Sequence, residues 1–182
     1  MTEILLVAAT ELELCGQEGL VCGVGPVEAA AATASALALD SPQLVLNIGV
    51  AGATGLTPGS LVVGTDAVYG DLRAEIEIVS HVTPEPGLLA KVQAALPHAL
   101  SLPIGMSAAV GGLSSSDSHR VRVEGMEGFA VLRACELAGV PAVEVRAISN
   151  QLGETDRVRW RLPRALEALT DALPVLLSEL RK

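Results

Sequence analysis

Residues 20–50 read LVCGVGPVEAAAATASALALDSPQLVLNIGV and carry the clearest pattern of secondary structure in the chain. Leu20–Val24 is a short apolar run that predicts a strand, and Gly25-Pro26 then opens an Ala-rich segment that predicts a helix to about Leu39. The apolar run Gln43–Ile48 predicts a second, buried strand. A strand, a helix and a strand in this order are typical of a parallel sheet covered by helices.

The alternation of strands and helices continues on both sides of this unit and predicts an α/β fold. Further strands are predicted at Ile4–Ala9, Ser60–Tyr69, Arg73–Val79, Pro103–Gly112 and Pro141–Ser149, and further helices at Pro86–Leu96, Met126–Ala138 and Leu162–Leu180. We expect a three-layer α-β-α domain with a mixed, mainly parallel central sheet, in which the hairpin-like pair at 60–79 is antiparallel. The stretches 49–55 and 113–119 are predicted loops. No linker or repeat interrupts the chain, so residues 1–182 are predicted to form a single domain.

The composition argues against several classes of protein. Half of the 182 residues are hydrophobic, but no window approaches the roughly 20 uninterrupted apolar residues of a membrane helix. The first residues, Met1–Val7, lack the basic region of a signal peptide, so we expect a soluble cytoplasmic protein that does not associate with a membrane. The net charge of −9 repels phosphate backbones, which argues against nucleic acid as a partner and leaves small-molecule substrates open.

No motif indicates a cofactor or a metal. Gly23-Val-Gly-Pro-Val-Glu28 begins like a dinucleotide-binding fingerprint, but it lacks the third glycine, and a structural turn is favoured. The three cysteines form no CxxC pair and the three histidines share no helical spacing, so neither a disulfide nor a metal site is predicted. Ser114–His119 contains Ser, Asp and His, but adjacent residues do not easily form a catalytic triad, and a solvated loop is favoured.

Four acidic residues at the ends of predicted elements are the first candidates for chemistry. Glu11 and Glu13 follow the first strand, and Glu124 and Glu127 bracket the junction of a strand and a helix. Active sites of α/β proteins collect at the ends of parallel strands. An acid at the start of a helix is also stabilised by the helix dipole, and for each glutamate taken alone this capping role is favoured.

An arginine in an apolar strand is the second candidate. The two-residue period of the strand places Glu144 and Arg146 on one face, in surroundings where an unpaired charge is costly. Arg146 is therefore expected to have a carboxylate partner.

Several of these stretches together resemble a known family. Val123–Ala130, followed by Val145–Asn150, looks like the paired signature of the nucleoside phosphorylase and nucleosidase superfamily. The match runs in the same order along nearly the whole chain, through the further landmarks Leu6–Glu13, Gly23–Ala29, Asn47–Gly52, Gly59–Val63 and Tyr69. Ile148–Gly153, with Asp156-Arg157 and Trp160, resembles the futalosine hydrolases of that superfamily, which serve an alternative menaquinone pathway. The resemblance implies a nucleoside phosphorylase-like fold and cleavage of a purine N-glycosidic bond without a cofactor.

The resemblance implies catalytic roles. Glu13 aligns with the glutamate that holds the attacking water and serves as its general base. Arg146 aligns with an arginine near that water, and Val50 replaces a serine that nucleosidase relatives often place there. Asn150 aligns with the residue that meets the leaving purine.

The resemblance also implies contacts to the substrate. Met126 and Glu127 align with the pair that packs against the sugar and accepts its hydroxyl protons. Ser149 and Asn150 align with the segment at the purine edge, where adenine-specific relatives carry aspartate in place of the asparagine. An amide offers both a donor and an acceptor, which suits the 6-oxo group and the N7 atom of a hypoxanthine-type base.

Water is the expected nucleophile. Phosphorylase relatives surround phosphate with arginines, whereas the loop Thr10–Cys15 is acidic and contains none. The sequence therefore predicts hydrolysis of futalosine with release of hypoxanthine. A methylthioadenosine or S-adenosylhomocysteine nucleosidase is the alternative, and a non-catalytic nucleoside-binding protein on the same fold is the second alternative.

Two contacts to such a substrate stay open. Futalosine carries a carboxylate on its aryl arm, which requires a cation, and Arg73, Arg120 and Arg122 are the candidates. Ser114–Ser116 contains no aromatic residue, although nucleosidase relatives present a ring to the base there. A neighbouring subunit could supply such a ring, and we expect a homo-oligomer.

Overall fold

The chain folds into three layers, with a sheet between two pairs of helices. The computed structural model describes residues 3–71, 75–112 and 121–182. The strands are β1 (Ile4–Ala8), β2 (Leu20–Val21), β3 (Leu44–Ala53), β4 (Leu61–Tyr69), β5 (His81–Val82), β6 (Leu100–Met106), β7 (Val123–Gly125) and β8 (Ala142–Gln151). The helices are α1 (Pro26–Asp40), α2 (Pro86–Ala95), α3 (Gly128–Ala138) and α4 (Leu162–Leu180), and a 3-10 turn, Arg157–Arg159, precedes α4.

The eight strands within the described ranges form one mixed sheet. β1 pairs in parallel with β2 and β3, β3 pairs in parallel with β8, and β6 pairs in parallel with β4 and β7. The pairings of β3 with β7, of β4 with β5 and of β4 with β8 are antiparallel. The prediction of a mixed, mainly parallel sheet is confirmed.

The long strand β3 organises the sheet. Its first half pairs with β1, its last residues Gly52 and Ala53 pair with β7, and β8 runs along its other edge. Because β8 also pairs with β4, β4 with β6, and β6 with β7, five strands close into a circuit. The loop predicted at 49–55 is therefore wrong up to Ala53: these residues continue β3, since β7 and β8 satisfy their backbone groups.

Further boundaries differ from the prediction: β2 ends at Val21, before the predicted Val24, and α3 starts at Gly128, after the predicted Met126. The structure describes residues 75–79 of the strand expected at Arg73–Val79, and these residues do not form a strand. β4 pairs with the short strand β5 instead. The strand expected at Pro103–Gly112 is β6, which starts earlier and ends before the bends and turns of residues 107–112. The predicted loop at 113–119 lies outside the described residues.

Alternating side chains of the strands fill two cores. In β1, Leu5 and Val7 pack with α1 and α3 on one face, whereas Leu6 and Ala8 pack with α2 and α4 on the other. Helix α1 contacts α3, and α2 contacts α4. The predicted three-layer α-β-α arrangement is confirmed. In the part of the chain that the structure describes, no helix combines the length and apolar character that a bilayer span requires.

Leu176 in α4 tests the core between α4 and the sheet. Its side chain is fully buried, and Leu176→Ala is expected to lower the free energy of unfolding by about 2–5 kcal/mol, because burial is lost and a cavity remains. The adjacent Val175 is exposed, so Val175→Ala is the matched control, with an expected change below about 0.5 kcal/mol. Urea denaturation followed by circular dichroism measures both variants. An equal loss of unfolding free energy in the two variants would contradict the burial of Leu176 between α4 and the sheet.

Candidate active site

A cavity of about 370 Å³ opens where β1, β3 and β8 end. The seven site residues named from the family resemblance fall into two groups. Six of them line the cavity: Glu13, Val50, Met126, Glu127, Ser149 and Asn150. The seventh, Arg146, is fully buried and does not form part of the cavity wall. The cavity thus lies at the carboxyl ends of parallel strands, where sites of α/β proteins collect.

Glu13 is fixed in the turn that follows β1. Its Oε1 accepts a hydrogen bond of 2.9 Å from the backbone N–H of Val50, and its Oε2 accepts one of 2.9 Å from Thr10 Oγ1. The side chain is buried in a turn that does not start a helix, so the capping role is wrong for Glu13. Position 50 holds the carboxylate through its backbone amide, which valine provides as well as serine.

Glu127 immediately precedes α3, yet its side chain does not cap that helix. Its Oε1 instead accepts a hydrogen bond of 3.0 Å from the backbone N–H of Gly25, at the start of α1. Burial raises the pKa of Glu127, and the positive charge of Arg146 offsets this rise only in part. The capping interpretation is therefore wrong for Glu127 as well, and its carboxylate lines the cavity.

Arg146 is a cation without access to solvent. Its Nε donates to Glu144 Oε1 at 2.6 Å, and its Nη1 donates to the carbonyl of Ile48 at 3.4 Å. Burial opposes the charge of Arg146, but the negative charges of Glu144, Glu127 and Glu13 outweigh burial and raise its pKa. The expectation that Arg146 has a carboxylate partner is confirmed, and the partner is Glu144.

Gly49 in β3 lets the arginine and a cavity glutamate approach the same point of the backbone. A Cβ atom at Gly49 would overlap the guanidinium of Arg146 and would lie 2.7 Å from Glu13 Oε1. No side chain fits in that space, so glycine is required at this position by close approach. The buried positive charge therefore lies next to the Glu13 carboxylate, at the floor of the cavity.

A β-bulge places Ser149 and Asn150 in the cavity wall. The pairing of β8 with β3 shifts after Ala51, and Ser149 has no partner in β3. Ser149 Oγ donates to Asn150 Oδ1 at 2.6 Å, and Asn150 Nδ2 donates to the carbonyl of Gln151 at 2.9 Å. These bonds use one of the two protons and one of the two acceptor positions of the amide, so a ligand can use the others.

The cavity wall also contains Glu124, one of the four acids named from the sequence, and two residues to which the sequence assigned no role, Arg157 and Trp160. Glu124 is buried and accepts a hydrogen bond of 2.6 Å from the backbone N–H of Gly111. Trp160 lines the cavity, and its Nε1 donates to the carbonyl of Glu154 at 2.9 Å. The guanidinium carbon of Arg157 lies 5.4 Å from the centre of the Trp160 ring.

Trp160 supplies an aromatic ring from within the chain. The family resemblance places such a ring at Ser114–Ser116, which contains no aromatic residue and lies outside the described residues. Trp160 instead follows the 3-10 turn between β8 and α4. A single tryptophan in a polar stretch has no periodic pattern. The resemblance over residues 156–160 was the one clue to it.

The chemistry that this cavity can support follows from its polar groups. Three carboxylates, from Glu13, Glu124 and Glu127, line the same space as the amide of Asn150. Carboxylates can stabilise a cationic transition state and can accept a proton from water. Within residues 3–71, 75–112 and 121–182, no group of three or more His, Cys, Asp or Glu side chains could hold a metal ion.

Known proteins share this sequence and this fold. The family profile of the phosphorylase superfamily matches residues 18–177. The chain is 38% identical to a futalosine hydrolase of Streptomyces coelicolor, over 90% of this chain and 81% of that protein. It is 31% identical to a 5'-methylthioadenosine/S-adenosylhomocysteine nucleosidase of Geobacillus thermodenitrificans, over 78% of this chain and 69% of that protein. Its fold resembles that of a nucleosidase of the same kind from Colwellia psychrerythraea in complex with adenine, with a TM-score of 0.87, 20% identity and coverage of 98% and 96% of the two chains.

Gly49→Ala tests the close approach at the cavity floor. The added methyl group is expected to displace the Arg146 guanidinium and the Glu13 carboxylate and to lower the free energy of unfolding by about 1–3 kcal/mol. Gly125 in β7 is the matched control, because a Cβ there would lie 3.8 Å from Arg146 Cζ, an ordinary contact. Urea denaturation of both variants measures the difference, and a Gly49→Ala protein as stable as Gly125→Ala would contradict the overlap.

Proposed function

The chain belongs to the phosphorylase superfamily, and we propose that it is a hydrolase that cleaves the N-glycosidic bond of futalosine and releases hypoxanthine. The observation that carries this proposal is that Glu13, Glu127 and Asn150, which are far apart in sequence, line one cavity. The identity to the futalosine hydrolase of Streptomyces coelicolor supports the choice of substrate.

Glu13 activates the water in this mechanism. As the bond between C1′ and the purine nitrogen breaks, the bonding electrons leave with the purine and positive charge develops on the ribose. Water attacks C1′, and its proton passes to the Glu13 carboxylate, which acts as general base. The hydrogen bonds from Val50 N–H and Thr10 Oγ1 orient this carboxylate before the substrate arrives.

Glu127 and Met126 bind the ribose. The Glu127 carboxylate accepts hydrogen bonds from the sugar hydroxyl groups, and its negative charge stabilises the cationic sugar. Met126, in the adjacent part of the cavity wall, packs against the face of the ring. Arg146 touches no substrate in this scheme: it positions the acids and limits the repulsion between them.

Asn150 and Ser149 receive the purine. The leaving base carries negative charge, which a hydrogen-bond donor stabilises and which a proton taken up from solvent at a ring nitrogen removes, while Glu13 returns the proton of the attacking water to solvent. The free proton and the free acceptor position of the Asn150 amide can meet the 6-oxo group and a protonated N7 of hypoxanthine. The Ser149 hydroxyl, bonded to Asn150 Oδ1, fixes the orientation of that amide.

Water is the nucleophile in this proposal because the described part of the cavity wall offers no cluster of cations for phosphate. The ionisable residues in that part are the acids Glu13, Glu124 and Glu127, and one arginine, Arg157, which is exposed. Three buried carboxylates repel a phosphate dianion.

A 5'-methylthioadenosine/S-adenosylhomocysteine nucleosidase is the second candidate, favoured by the relative from Geobacillus thermodenitrificans. The amide at position 150 argues for a 6-oxo base over a 6-amino base, since an aspartate suits the amino group better. The role in an alternative menaquinone pathway, the cytoplasmic location and the homo-oligomeric state stay predictions.

The central test is the release of base from purified protein. With futalosine, wild-type protein is expected to release hypoxanthine, measured by liquid chromatography, and Glu13→Gln is expected to lower kcat by at least about 100-fold, because the general base is lost. Glu11→Gln, in the same turn but exposed, is the matched control and is expected to retain activity.

Two outcomes of this assay would contradict the proposal. Release of adenine from methylthioadenosine, with futalosine left intact, would favour the second candidate. Binding without release of any base would favour the non-catalytic alternative. Circular dichroism of Glu13→Gln establishes that any loss of turnover is not a loss of fold.

The pH dependence of kcat/KM tests the role of Glu127. The ionised carboxylate is required to bind the ribose, and burial raises the pKa of Glu127. Activity is therefore expected to fall, as the pH is lowered, at a pH above the ordinary glutamate value of about 4.3. Protonation of a group whose pKa is higher in the folded than in the unfolded state favours folding, so this residue does not cause unfolding in the same pH range. An acid limb at or below about pH 4.3, with circular dichroism unchanged, would contradict the role.

A further inference from the structure

Among the described residues that line the cavity, Arg157 is the one basic residue, and its side chain is exposed. The other ionisable residues of this described wall are acids, and the whole chain carries a net charge of −9. An anionic group of a ligand is therefore attracted by Arg157 and repelled by these acids.

The position of Arg157 is fixed by its neighbours. Its guanidinium lies over the Trp160 ring at 5.4 Å, within the range of a cation–π contact. Trp160 is held by the hydrogen bond from its Nε1 to Glu154, and the backbone N–H of Arg161 donates to the Ser149 carbonyl at 2.8 Å. The 3-10 turn is thus attached to the end of β8 that forms the cavity wall.

The carboxylates beside this turn bind a different arginine. Arg159 Nη1 lies 3.3 Å from Glu154 Oε2, and Arg159 Nε lies 3.6 Å from Asp156 Oδ2. Among the described residues, Arg157 has no carboxylate partner. A guanidinium that lies over an aromatic ring still carries N–H donors, and a carboxylate accepts two of them in parallel.

We propose that Arg157 and Trp160 form a subsite for an aromatic arm that carries a carboxylate, so that the protein selects nucleosides with an anionic aryl substituent. This inference rests on the proposed function and identifies the part of the protein that recognises the futalosine arm. The indole and the nearby side chains Leu152 and Leu162 offer an apolar surface to the arm, and the guanidinium pairs with its carboxylate.

Arg157 is a fourth candidate for this carboxylate, beside the three arginines that the sequence offered. Arg73 and Arg120 lie outside the described residues. Arg122 is not in the cavity wall, and its Nη2 donates to the carbonyl of Thr54 at 3.0 Å.

Futalosine and its methyl ester test the proposal, because they differ in one negative charge. Arg157→Gln is expected to lower kcat/KM for futalosine by about tenfold and to change that for the ester by less than about twofold. Arg157→Glu is expected to favour the ester over futalosine, since the charge at the opening is reversed. Arg181→Gln is the matched control: it removes an exposed arginine at the far end of α4, and both substrates are expected to react as with wild type.

Ionic strength provides a second measurement. The preference of wild type for futalosine over the ester is expected to decline as salt is added, because exposed charges are screened, and Arg157→Gln is expected to lose this dependence. Equal effects of Arg157→Gln on both substrates, with an unchanged salt dependence, would overturn the subsite and assign Arg157 a structural role.

Binding measurements separate this inference from the proposed function. In the Glu13→Gln background the substrate is consumed at least about 100-fold more slowly, so calorimetry gives Kd for futalosine and for the ester with and without Arg157→Gln. Absence of turnover in wild type would contradict the proposed hydrolase. A ratio of the two Kd values that does not respond to position 157 would contradict the subsite, whatever the turnover.

Discussion

The candidate site depends on a guanidinium that has no access to water. Arg146 is fully buried, and a cation in such a place is stable only with negative charge around it. Glu144 bonds it directly, and Glu127 and Glu13 add to the field that keeps it charged. The reverse also holds, since the arginine offsets part of the cost of burying acids at the cavity. Removal of either charge leaves the other uncompensated, so the acids and the arginine form one unit.

Two glycines leave space in the backbone for these charged side chains. Gly49 in β3 leaves space for the guanidinium and for Glu13, and Gly128 at the start of α3 leaves space for the Glu144 carboxylate. Gly49 lies in β3 between the segment that pairs with β1 and the segment that pairs with β7, and β8 runs along the other edge. The buried charges therefore lie beside the closed circuit of strands, at the ends of the parallel strands. The fold and the chemistry are thus linked through two positions at which a methyl group does not fit.

The sequence predicts the layers well because apolar periodicity depends on local residues. The α4 boundaries, for example, follow from the amphipathic run that starts at Leu162. The strand continuation to Ala53 was missed because its hydrogen-bond partners come from β7 and β8, far along the chain. The acids of the cavity wall were singled out by their places at the ends of elements, and their roles came from the resemblance. The interaction of Arg157 with Trp160 depends on a short 3-10 turn that has no periodic pattern. Capping, favoured for each glutamate alone, was wrong for Glu13 and Glu127 because partners distant in sequence bind them.

The bulge at Ser149 has a consequence for how such an enzyme changes during evolution. In a strand, consecutive side chains alternate between two faces, and the extra residue of the bulge lets Ser149 and Asn150 both line the cavity. Loss of the codon for Ser149 would restore a continuous ladder with Asn150 still opposite Gly52, but it would remove the hydroxyl that bonds the Asn150 amide. A change of length at the bulge therefore alters the cavity wall without any exchange of one side chain for another, and lineages of this fold can diverge at the cavity by insertion or deletion.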